Sequence, residues 1–326
     1  MLLVRFDMRS PGASPEARAD LYRAAIEMSA WAEEHGAVTA VVSEHHASPD
    51  GYLPAPLILA SAIAARTTSL PITVGAVLAG LHDPVALAEQ MVVLDHISRG
   101  RVSYTIGLGY RPVEYEMFGR DFADRGRRMD EVIAALQAGL SGEPFEYQGR
   151  PVHVTPAPYT PGGPMLSYGG GSLAAARRAG RFGLGFLGQG SDDPAALESA
   201  YRMAAEEAGH QPGFFYVPSA GSATAVVVVE DVDRGWAEHG PHLLHDAQMY
   251  GTWVGPDDAA EAGSAATTVA ELRAENGNYR VVDPEGAREI IADQGVLPLF
   301  PLAGGTPPDL AWSSLDLVAR EVLTDG

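Results

Sequence analysis

Short runs of β-branched and apolar residues alternate with longer amphipathic segments along the chain, and this alternation is the strongest constraint on its fold. The pattern predicts eight strands, at residues 2–7, 37–43, 72–78, 102–106, 165–168, 183–187, 223–229 and 295–300. Most of these runs are continuously apolar, as strands buried on both faces should be. Apolar residues at three- and four-residue spacing predict helices at 16–35, 55–66, 85–97, 127–138, 172–181, 194–208, 232–249 and 313–323.

Eight strands alternating with eight helices predict a closed parallel TIM (β/α)₈ barrel, with residues 1–326 as one domain. A doubly wound open sheet is the alternative. It usually needs a Gly-rich nucleotide-binding turn after its first strand, where this chain has Met8-Arg9-Ser10-Pro11-Gly12. Two segments interrupt the alternation. Residues 143–164 predict a small hairpin, and residues 255–280, rich in Ala, Gly, Ser and Thr, predict a lid-like insertion at the barrel mouth.

The composition excludes several classes of function. Acidic residues outnumber basic ones by 42 to 22, which gives a formal net charge of −20. Such a chain repels phosphate backbones and anionic lipids, so we expect neither nucleic-acid nor membrane partners. The sequence has no cysteine, which excludes disulfides, thiolate metal sites and cysteine nucleophiles. No apolar stretch approaches the ~20 residues of a membrane-spanning helix, and we expect a cytoplasmic protein.

Polar residues end the second predicted strand, in the sequence Ser43-Glu44-His45-His46. In a barrel, polar residues at the carboxyl ends of strands face the active site, and a histidine there can move protons near neutral pH. The alternative is a histidine that merely holds a loop carbonyl. We expect no metal site, because neighbouring side chains on a strand point to opposite faces. His239, His242 and His245 could place two imidazoles on one helical face, but a helix surface or subunit contact is the alternative.

Glycine-rich sequences end the fourth and fifth predicted strands. Gly107 and Gly109, followed by Tyr110 and Arg111, would let a planar ligand approach the backbone closely. The run Gly169-Gly170-Gly171-Ser172 opens a helix, and a helix N-terminus with glycines before it suits a phosphate group. A simple helix cap is the alternative.

Arginines near another helix start, Arg125, Arg127 and Arg128, could supply the counter-charge for a phosphate. A solvated helix face explains any one of them as well.

Taken in order, these motifs resemble the bacterial luciferase-like monooxygenase family, which consists of flavin-dependent TIM-barrel enzymes. The resemblance covers essentially the whole chain. Its most specific segments are residues 44–46, 107–109, 114–119, 127–131, 142–149, 169–172 and 301–312.

The resemblance implies a monooxygenase that uses reduced FMN and O2, through a flavin hydroperoxide, to oxygenate a small organic substrate. A separate reductase would supply the reduced flavin. Glu44, His45 and His46 would form the catalytic motif, with His45 steadying the flavin chemistry and His46 and Tyr110 lining the substrate pocket. The family's mobile loop corresponds to residues 255–280, and its members are often homodimers, for which the helix at 85–97 is a plausible face.

The resemblance also implies the cofactor contacts. Ser172, with Gly170 and Gly171, would contact the flavin phosphate, and a non-prolyl cis peptide beneath the flavin ring is carried over as Ala76–Val77.

The chain departs from bacterial luciferase at two positions. Gly107 stands where luciferase has a reactive cysteine, and Leu108 stands where it has a phosphate-binding arginine. We therefore do not expect light emission, and the phosphate must be held differently, by Arg128 or Arg111. The alternatives are a deazaflavin-dependent hydride-transfer enzyme and a non-catalytic flavin-binding partner subunit. A metal-dependent barrel hydrolase would lack a convincing third ligand.

Overall fold

The computed structural model describes residues 1–189, 191, 193–219, 221–253 and 263–323. Each of the eight predicted strands corresponds to an observed strand, and the predicted hairpin is also present. The strands are β1 (Leu2–Phe6), β2 (Ala40–Val42), β3 (Ile72–Val77), β4 (Val102–Gly107), β5 (Phe145–Tyr147), β6 (Arg150–Val152), β7 (Leu166–Gly169), β8 (Gly185–Leu187), β9 (Phe215–Tyr216), β10 (Ala225–Val228), β11 (Tyr279–Val282) and β12 (Leu297–Leu299).

Helices follow most of the strands and cover the sheet. They are α1 (Pro15–Glu34), α2 (Pro56–Arg66), α3 (Pro84–Ser98), α4 (Pro112–Met117), α5 (Arg125–Gly139), α6 (Leu173–Arg181), α7 (Pro194–Glu207), α8 (Val232–Trp253), α9 (Val269–Glu275), α10 (Pro284–Gln294) and α11 (Pro308–Leu317). Several begin at a proline preceded by an aspartate or serine cap, as in α1, α3 and α10. Proline suits this position because the first helical N–H groups have no intrahelical acceptor. None of the helices in the described ranges is long and apolar enough to cross a bilayer.

Hydrogen bonds join ten strands into one sheet in the order β11-β10-β12-β1-β2-β3-β4-β7-β8-β9, with parallel ladders throughout. β5 and β6 form the separate antiparallel hairpin. The carboxyl ends of the parallel strands therefore share one edge, where Glu44–His46, Gly107–Arg111 and Gly169–Ser172 meet. The main core lies between the sheet and its helices, with residues such as Val4, Met28, Ile63 and Met91 fully buried.

The structure describes part of the lid-like insertion predicted at 255–280. Residues 254–262 lie outside the described part of the chain. The described remainder contains α9, which begins at a capping box in which Thr268 and Glu271 bond reciprocally, and the start of β11 at Tyr279. The segment has few large apolar groups, so its spacing does not reveal this helix, but Leu272 is buried in the core and Val269 packs against it.

Sequence periodicity also missed the short elements α4, α10 and β9. α4 and β9 have too few residues to show a period, and α10 is signalled only by its Asp283-Pro284 start.

Helix α8 is held in place by a turn after β12 (Ala303–Gly305). Gly304 has φ +55°, and a Cβ added there would lie 2.0 Å from the backbone oxygen of His242 in α8. The His242 ring also approaches the Gly304 carbonyl oxygen, 3.2 Å from its Nδ1. Glycine at 304 thus lets α8 pack directly against this turn. The last two turns of α8 then reach the candidate site.

We predict that Gly304→Ala lowers the free energy of unfolding by about 3 kcal/mol, because it adds a steric clash to the cost of a left-handed alanine. The matched control is Gly12→Ala, which has φ +67° but no atom within 4 Å of the added Cβ. It should lose only about 1 kcal/mol. Urea unfolding of both variants measures the difference, and equal losses would contradict close packing of α8.

Candidate functional site

Glu44, His45 and His46 follow β2 and are all buried. The two histidines take different partners, as expected of neighbours on an extended chain. His45 bonds to Glu114, and His46 bonds to Glu44. Two separate polar networks therefore begin at this segment.

The first network is centred on the Glu114 carboxylate. Its Oε1 atom lies 2.9 Å from His45 Nδ1 and accepts the His46 backbone N–H and an Arg111 N–H, each also at 2.9 Å. Burial opposes ionisation of Glu114, but the hydrogen bonds from His45 and the His46 N–H, together with the charge of Arg111, outweigh it and lower the pKa of Glu114. Glu114 is therefore ionised at neutral pH and acts as an acceptor.

An ionised Glu114 fixes the tautomer of His45. Nδ1 must carry the proton that is donated to Glu114, so Nε2 holds a lone pair. Tyr110 Oη lies 3.2 Å from Nε2 and is positioned to donate to it. Burial lowers the pKa of His45 despite the opposing effect of Glu114, and burial raises the pKa of Tyr110. At neutral pH the chain Tyr110–His45–Glu114 is thus a neutral phenol, a neutral imidazole and a carboxylate, and we call it the Tyr110–His45–Glu114 relay.

Aromatic rings enclose His45. Its ring centroid lies 4.8 Å from that of Trp253, 4.9 Å from Tyr52 and 6.2 Å from Tyr250. Two guanidinium groups also contact the Trp253 ring, Arg111 at 4.0 Å and Arg9 at 4.4 Å from its centroid. The aromatic rings shield the His45 imidazole from water, and this desolvation lowers its pKa. The charges of Arg111 and Arg9 act in the same direction.

The second network is centred on the Glu44 carboxylate. Its Oε1 atom lies 2.7 Å from Nε2 of His46 and 2.7 Å from Nε2 of His82, and its Oε2 atom accepts the Leu78 N–H at 2.8 Å. Burial works against the charged form, but these hydrogen bonds lower the pKa of Glu44 to about 2. The structure thus assigns Glu44 and His46 to a cluster apart from the relay, and their catalytic role remains a prediction.

The carboxyl ends of β3, β4 and β7 form a floor of small residues. The structure contains a non-prolyl cis peptide at Gly75–Ala76, so the bond predicted at Ala76–Val77 lies one residue earlier. The register between β3 and β4 shifts between Gly75 and Val77. A Cβ added at Gly107 would lie 3.0 Å from the Ala76 Cβ, and Gly107 pairs in register with Gly169.

Beside this floor, Gly109 has φ +78° and Tyr110 is half-buried. We define the floor as Ala76, Gly107 and Gly169, of which Ala76 is half-exposed and the two glycines are buried. Val77, also predicted to contact cofactor, is fully buried behind the floor.

Gly170, Gly171 and Ser172 lead from β7 into α6. The Ser172 hydroxyl oxygen accepts the Ala175 N–H at 3.2 Å, so it caps the helix, which is the simpler of the two interpretations of this segment. Capping leaves the hydroxyl proton free to donate, and the first N–H groups of α6 still need acceptors outside the helix. An anion at this helix start remains compatible with the geometry.

The two arginines predicted to hold a phosphate are engaged elsewhere. Arg128 donates to the carbonyl oxygens of Gly80 and His82, at 2.6 and 2.8 Å. Arg111 bonds Glu114 and the His46 carbonyl oxygen. Arg127 is exposed and pairs with acidic neighbours on its own helix.

Arg125 differs from these three. Its ring-facing guanidinium lies 3.8 Å from the Phe122 ring centroid, and its buried Nε has no partner among the described residues.

The histidines of α8 do not converge on one point. His242 approaches the Gly304 carbonyl oxygen, and His245 bonds the Asp50 carboxylate at 2.9 Å. His239 is buried, and burial lowers its pKa to about 4. They do not form the metal pair considered from their spacing.

Sequence reasoning missed several residues of the site: Arg9, Tyr52, His82, Trp253 and the partner role of Glu114. Arg9 and His82 each lie a few residues after a strand, a position that could have drawn attention to them. Tyr52 lies in the loop that follows the Glu44–His46 segment, and Trp253 lies at the end of α8. Neither belongs to a sequence pattern that marks it as a neighbour of His45.

Comparisons with known proteins place the chain in a family. The profile of the family described as luciferase-like monooxygenase matches residues 2–294. The limonene 1,2-monooxygenase of Rhodococcus erythropolis is 29% identical over 173 residues, which are 48% of this chain and 42% of that protein. The oxygenase component of the flavin-dependent trigonelline monooxygenase of Acinetobacter baylyi is 30% identical over 131 residues, 40% of this chain and 36% of that protein. The matched segments thus span less than half of both relatives.

Solved structures share the fold over nearly the whole chain. Monooxygenase RslO1 from Streptomyces bottropensis superposes with a TM-score of 0.75 at 21% identity, covering 99% of both chains. The oxygenating constituent of 3,6-diketocamphane monooxygenase from Pseudomonas putida, solved with FMN, gives 0.67 at 20% identity, covering 99% of this chain and 98% of that one. These likenesses confirm the predicted luciferase-like TIM-barrel fold.

The relay leads to a prediction about the pKa of His45. In Tyr110→Phe the donor to Nε2 is lost, and the pKa of His45 should rise because that bond stabilises only the neutral imidazole. In Glu114→Gln it should fall, because the carboxylate favours the imidazolium. A pH titration of the His45 ring by NMR measures both shifts. Shifts of the same sign in the two variants would disprove the assigned tautomer.

Proposed function

This chain belongs to the luciferase-like monooxygenase family, and we propose that it is a flavin-dependent monooxygenase that uses reduced FMN and O2 to oxygenate a small organic substrate. The observation that carries the proposal is the Tyr110–His45–Glu114 relay, which ends at the strand edge beside the floor of Ala76, Gly107 and Gly169. When bound, reduced FMN would supply the electrons that activate oxygen.

The residues at the strand edge fit a flavin. A planar ring needs a surface without large side chains. Gly75 and Ala76 at the end of β3 are half-exposed, and the buried Gly107 and Gly169 beside them add no side chain that would obstruct a ring. Gly109 and Tyr110 border the floor on the β4 side. The helix start at Gly170–Ser172 lies on the adjacent strand, β7, and would accept a phosphate.

Arg125 is the cation that best complements that phosphate. It begins α5, and the next residue, Gly126, has its carbonyl oxygen 3.2 Å from an Arg178 nitrogen. Arg178 belongs to α6, the helix that Ser172 caps, so the starts of α5 and α6 are joined. One Arg125 Nη atom donates to the Phe122 carbonyl oxygen, and its Nε has no partner among the described residues, so Arg125 can donate to a phosphate without breaking that bond.

The relay would hold or move one proton at His45 Nε2. A neutral His45 can accept a proton there, and Glu114 then stabilises the imidazolium from the other side of the ring. Arg111 keeps Glu114 ionised and in place. Tyr110 can donate to a developing anion in exchange for its bond to His45.

The aromatic rings of Tyr52, Tyr250 and Trp253 would exclude water from the imidazole. They also give any substrate an apolar environment.

Two partners complete the proposal. A separate reductase would deliver reduced FMN, as the trigonelline relative's designation as an oxygenase component suggests. A second copy of the chain would cover α2 and α3, where Ile58 is 74% and Val93 is 52% exposed. Because α2 and α3 pack against each other, one partner surface could remove both side chains from water.

Anaerobic titration with reduced FMN tests the proposal, with reduced deazaflavin titrated in parallel. The superposition with an F420-dependent secondary alcohol dehydrogenase, at a TM-score of 0.63 and 14% identity, shows that this fold also serves deazaflavin. We expect micromolar binding of reduced FMN. Binding of deazaflavin alone would support hydride transfer, and flavin binding without any reaction with oxygen would support a non-catalytic subunit.

His45→Ala should retain FMN affinity but alter the reaction of the bound flavin with oxygen. On admission of air, we expect the flavin to return to its oxidised spectrum at least about tenfold faster than in the unaltered protein, with release of H2O2, because the relay no longer controls the proton. His153→Gln, at an exposed position of the hairpin segment, is the control. Equal loss of flavin binding and oxygen control would disprove the role of His45.

Arg125→Ala should weaken FMN binding about ten- to a hundredfold while leaving riboflavin binding unchanged, because it removes a charge-assisted hydrogen bond to the phosphate. Arg127→Ala removes an equal charge from the same helix turn but from an exposed, paired position. It should bind both flavins normally. If the two variants bind FMN equally well, another residue holds the phosphate.

A further inference from the structure

The cluster of Glu44, His46 and His82 has a geometry that the monooxygenase proposal does not use. Nε2 of each histidine lies 2.7 Å from the same oxygen, Oε1 of Glu44. The three ligand atoms all lie within 4.8 Å of one another. Two imidazoles and one carboxylate, each offering one atom to a common point, are the donor set that binds divalent transition metals.

We propose that Glu44, His46 and His82 form a binding site for a divalent transition-metal ion of the Zn²⁺ class. The expectation of no metal site rested on the neighbours His45 and His46, which point apart. The third ligand comes instead from His82, which lies beyond β3 and so could not be associated with Glu44 from the sequence.

Hydrogen bonds from neighbouring residues fix the positions of the three ligands. The Leu78 N–H occupies Glu44 Oε2, which leaves Oε1 as a single donor. Arg128 bonds the carbonyl oxygens of Gly80 and His82 and so fixes the backbone that carries the third ligand. The His46 backbone N–H is held by Glu114. Bonds of this kind around the ligands orient a metal site before the ion arrives.

Only small movements are needed to admit an ion. Ligands about 2.1 Å from a tetrahedral ion lie roughly 3.4 Å apart, so Oε1 has to withdraw by less than ~1 Å from each nitrogen. Each imidazole must move its proton from Nε2 to Nδ1.

The position of the site determines how an ion would reach it and which coordination position stays open. The His82 side chain is 28% exposed, whereas Glu44 and His46 are buried, so an ion would enter past His82 and the neighbouring Phe118 ring. The chain's net charge of −20 attracts cations to its surface. Among the described residues three protein ligands converge, which would leave a fourth position for water or an external ligand.

Titration of the untagged, flavin-free protein with Co²⁺ tests the proposal, because tetrahedral Co²⁺ absorbs visible light. We expect one Co²⁺ per chain, displaced by one equivalent of Zn²⁺. His82→Gln keeps a hydrogen-bond donor for Glu44 but removes the imidazole, and it should bind at least about a hundredfold more weakly. This readout does not depend on flavin or on activity.

His153→Gln is the matched control and should bind as the unaltered protein does. Glu44→Gln provides a second test should His82→Gln fail to fold, which circular dichroism would reveal. No stoichiometric binding, or affinity unaffected by both Glu44→Gln and His82→Gln, would overturn the proposal and show that the cluster is only a hydrogen-bonded support. Loss of binding in those two variants alone would establish the site.

Discussion

The buried carboxylate of Glu114 is the constraint on which the candidate site depends. One of its oxygens accepts hydrogen bonds from the His45 ring, the His46 backbone and Arg111. A buried charge is stable only when it is paired and hydrogen-bonded. Removing any one donor would leave the anion less satisfied, so the ring of His45, the direction of the chain at His46 and the guanidinium of Arg111 are specified together.

The position of this anion follows from the parallel sheet. Glu114 lies on α4 after β4, and the histidines follow β2, two strands away in the sheet order. The carboxyl ends of all parallel strands meet at one edge, which brings together residues 69 positions apart in the chain. Near the end of β3, between them, the half-exposed residues are Gly75 and Ala76, which have small side chains. The same edge therefore carries both a proton relay and a flat surface of backbone.

A second buried charge cluster lies beside the first. The fully buried Arg9 pairs with Asp50 at 2.6 Å, Asp246 at 2.7 Å and Asp7 at 3.1 Å. Ionising all three acids around one arginine would cost free energy, because their charges repel one another. Burial and the charge of Asp246 accordingly raise the pKa of Asp7. Asp246 lies on α8, the helix that carries Tyr250 and Trp253, and Arg9 follows β1. Their ion pair therefore joins α8 to the segment after β1. It thereby positions the rings that surround His45.

The class of fold, and the edge at which the site lies, could be deduced from the amino-acid sequence, whereas the pairing of the polar residues could not. The alternation of strands and helices depends on local spacing, so β1 to β4 and the helices α1 to α3 could be predicted. The polar segment at Glu44–His46 and the glycines at 107 and 169 mark strand ends. The short elements α4 and α9 were not predicted, because packing and capping stabilise them and they are too short to show a clear periodicity.

His45 and His46 look alike in the sequence, yet one bonds Glu114 and the other bonds Glu44 and approaches His82. Such pairing depends on which strand ends adjoin and on how far each side chain reaches. The assembled sheet sets those distances, because local sequence contains no information about a partner that lies 69 residues away.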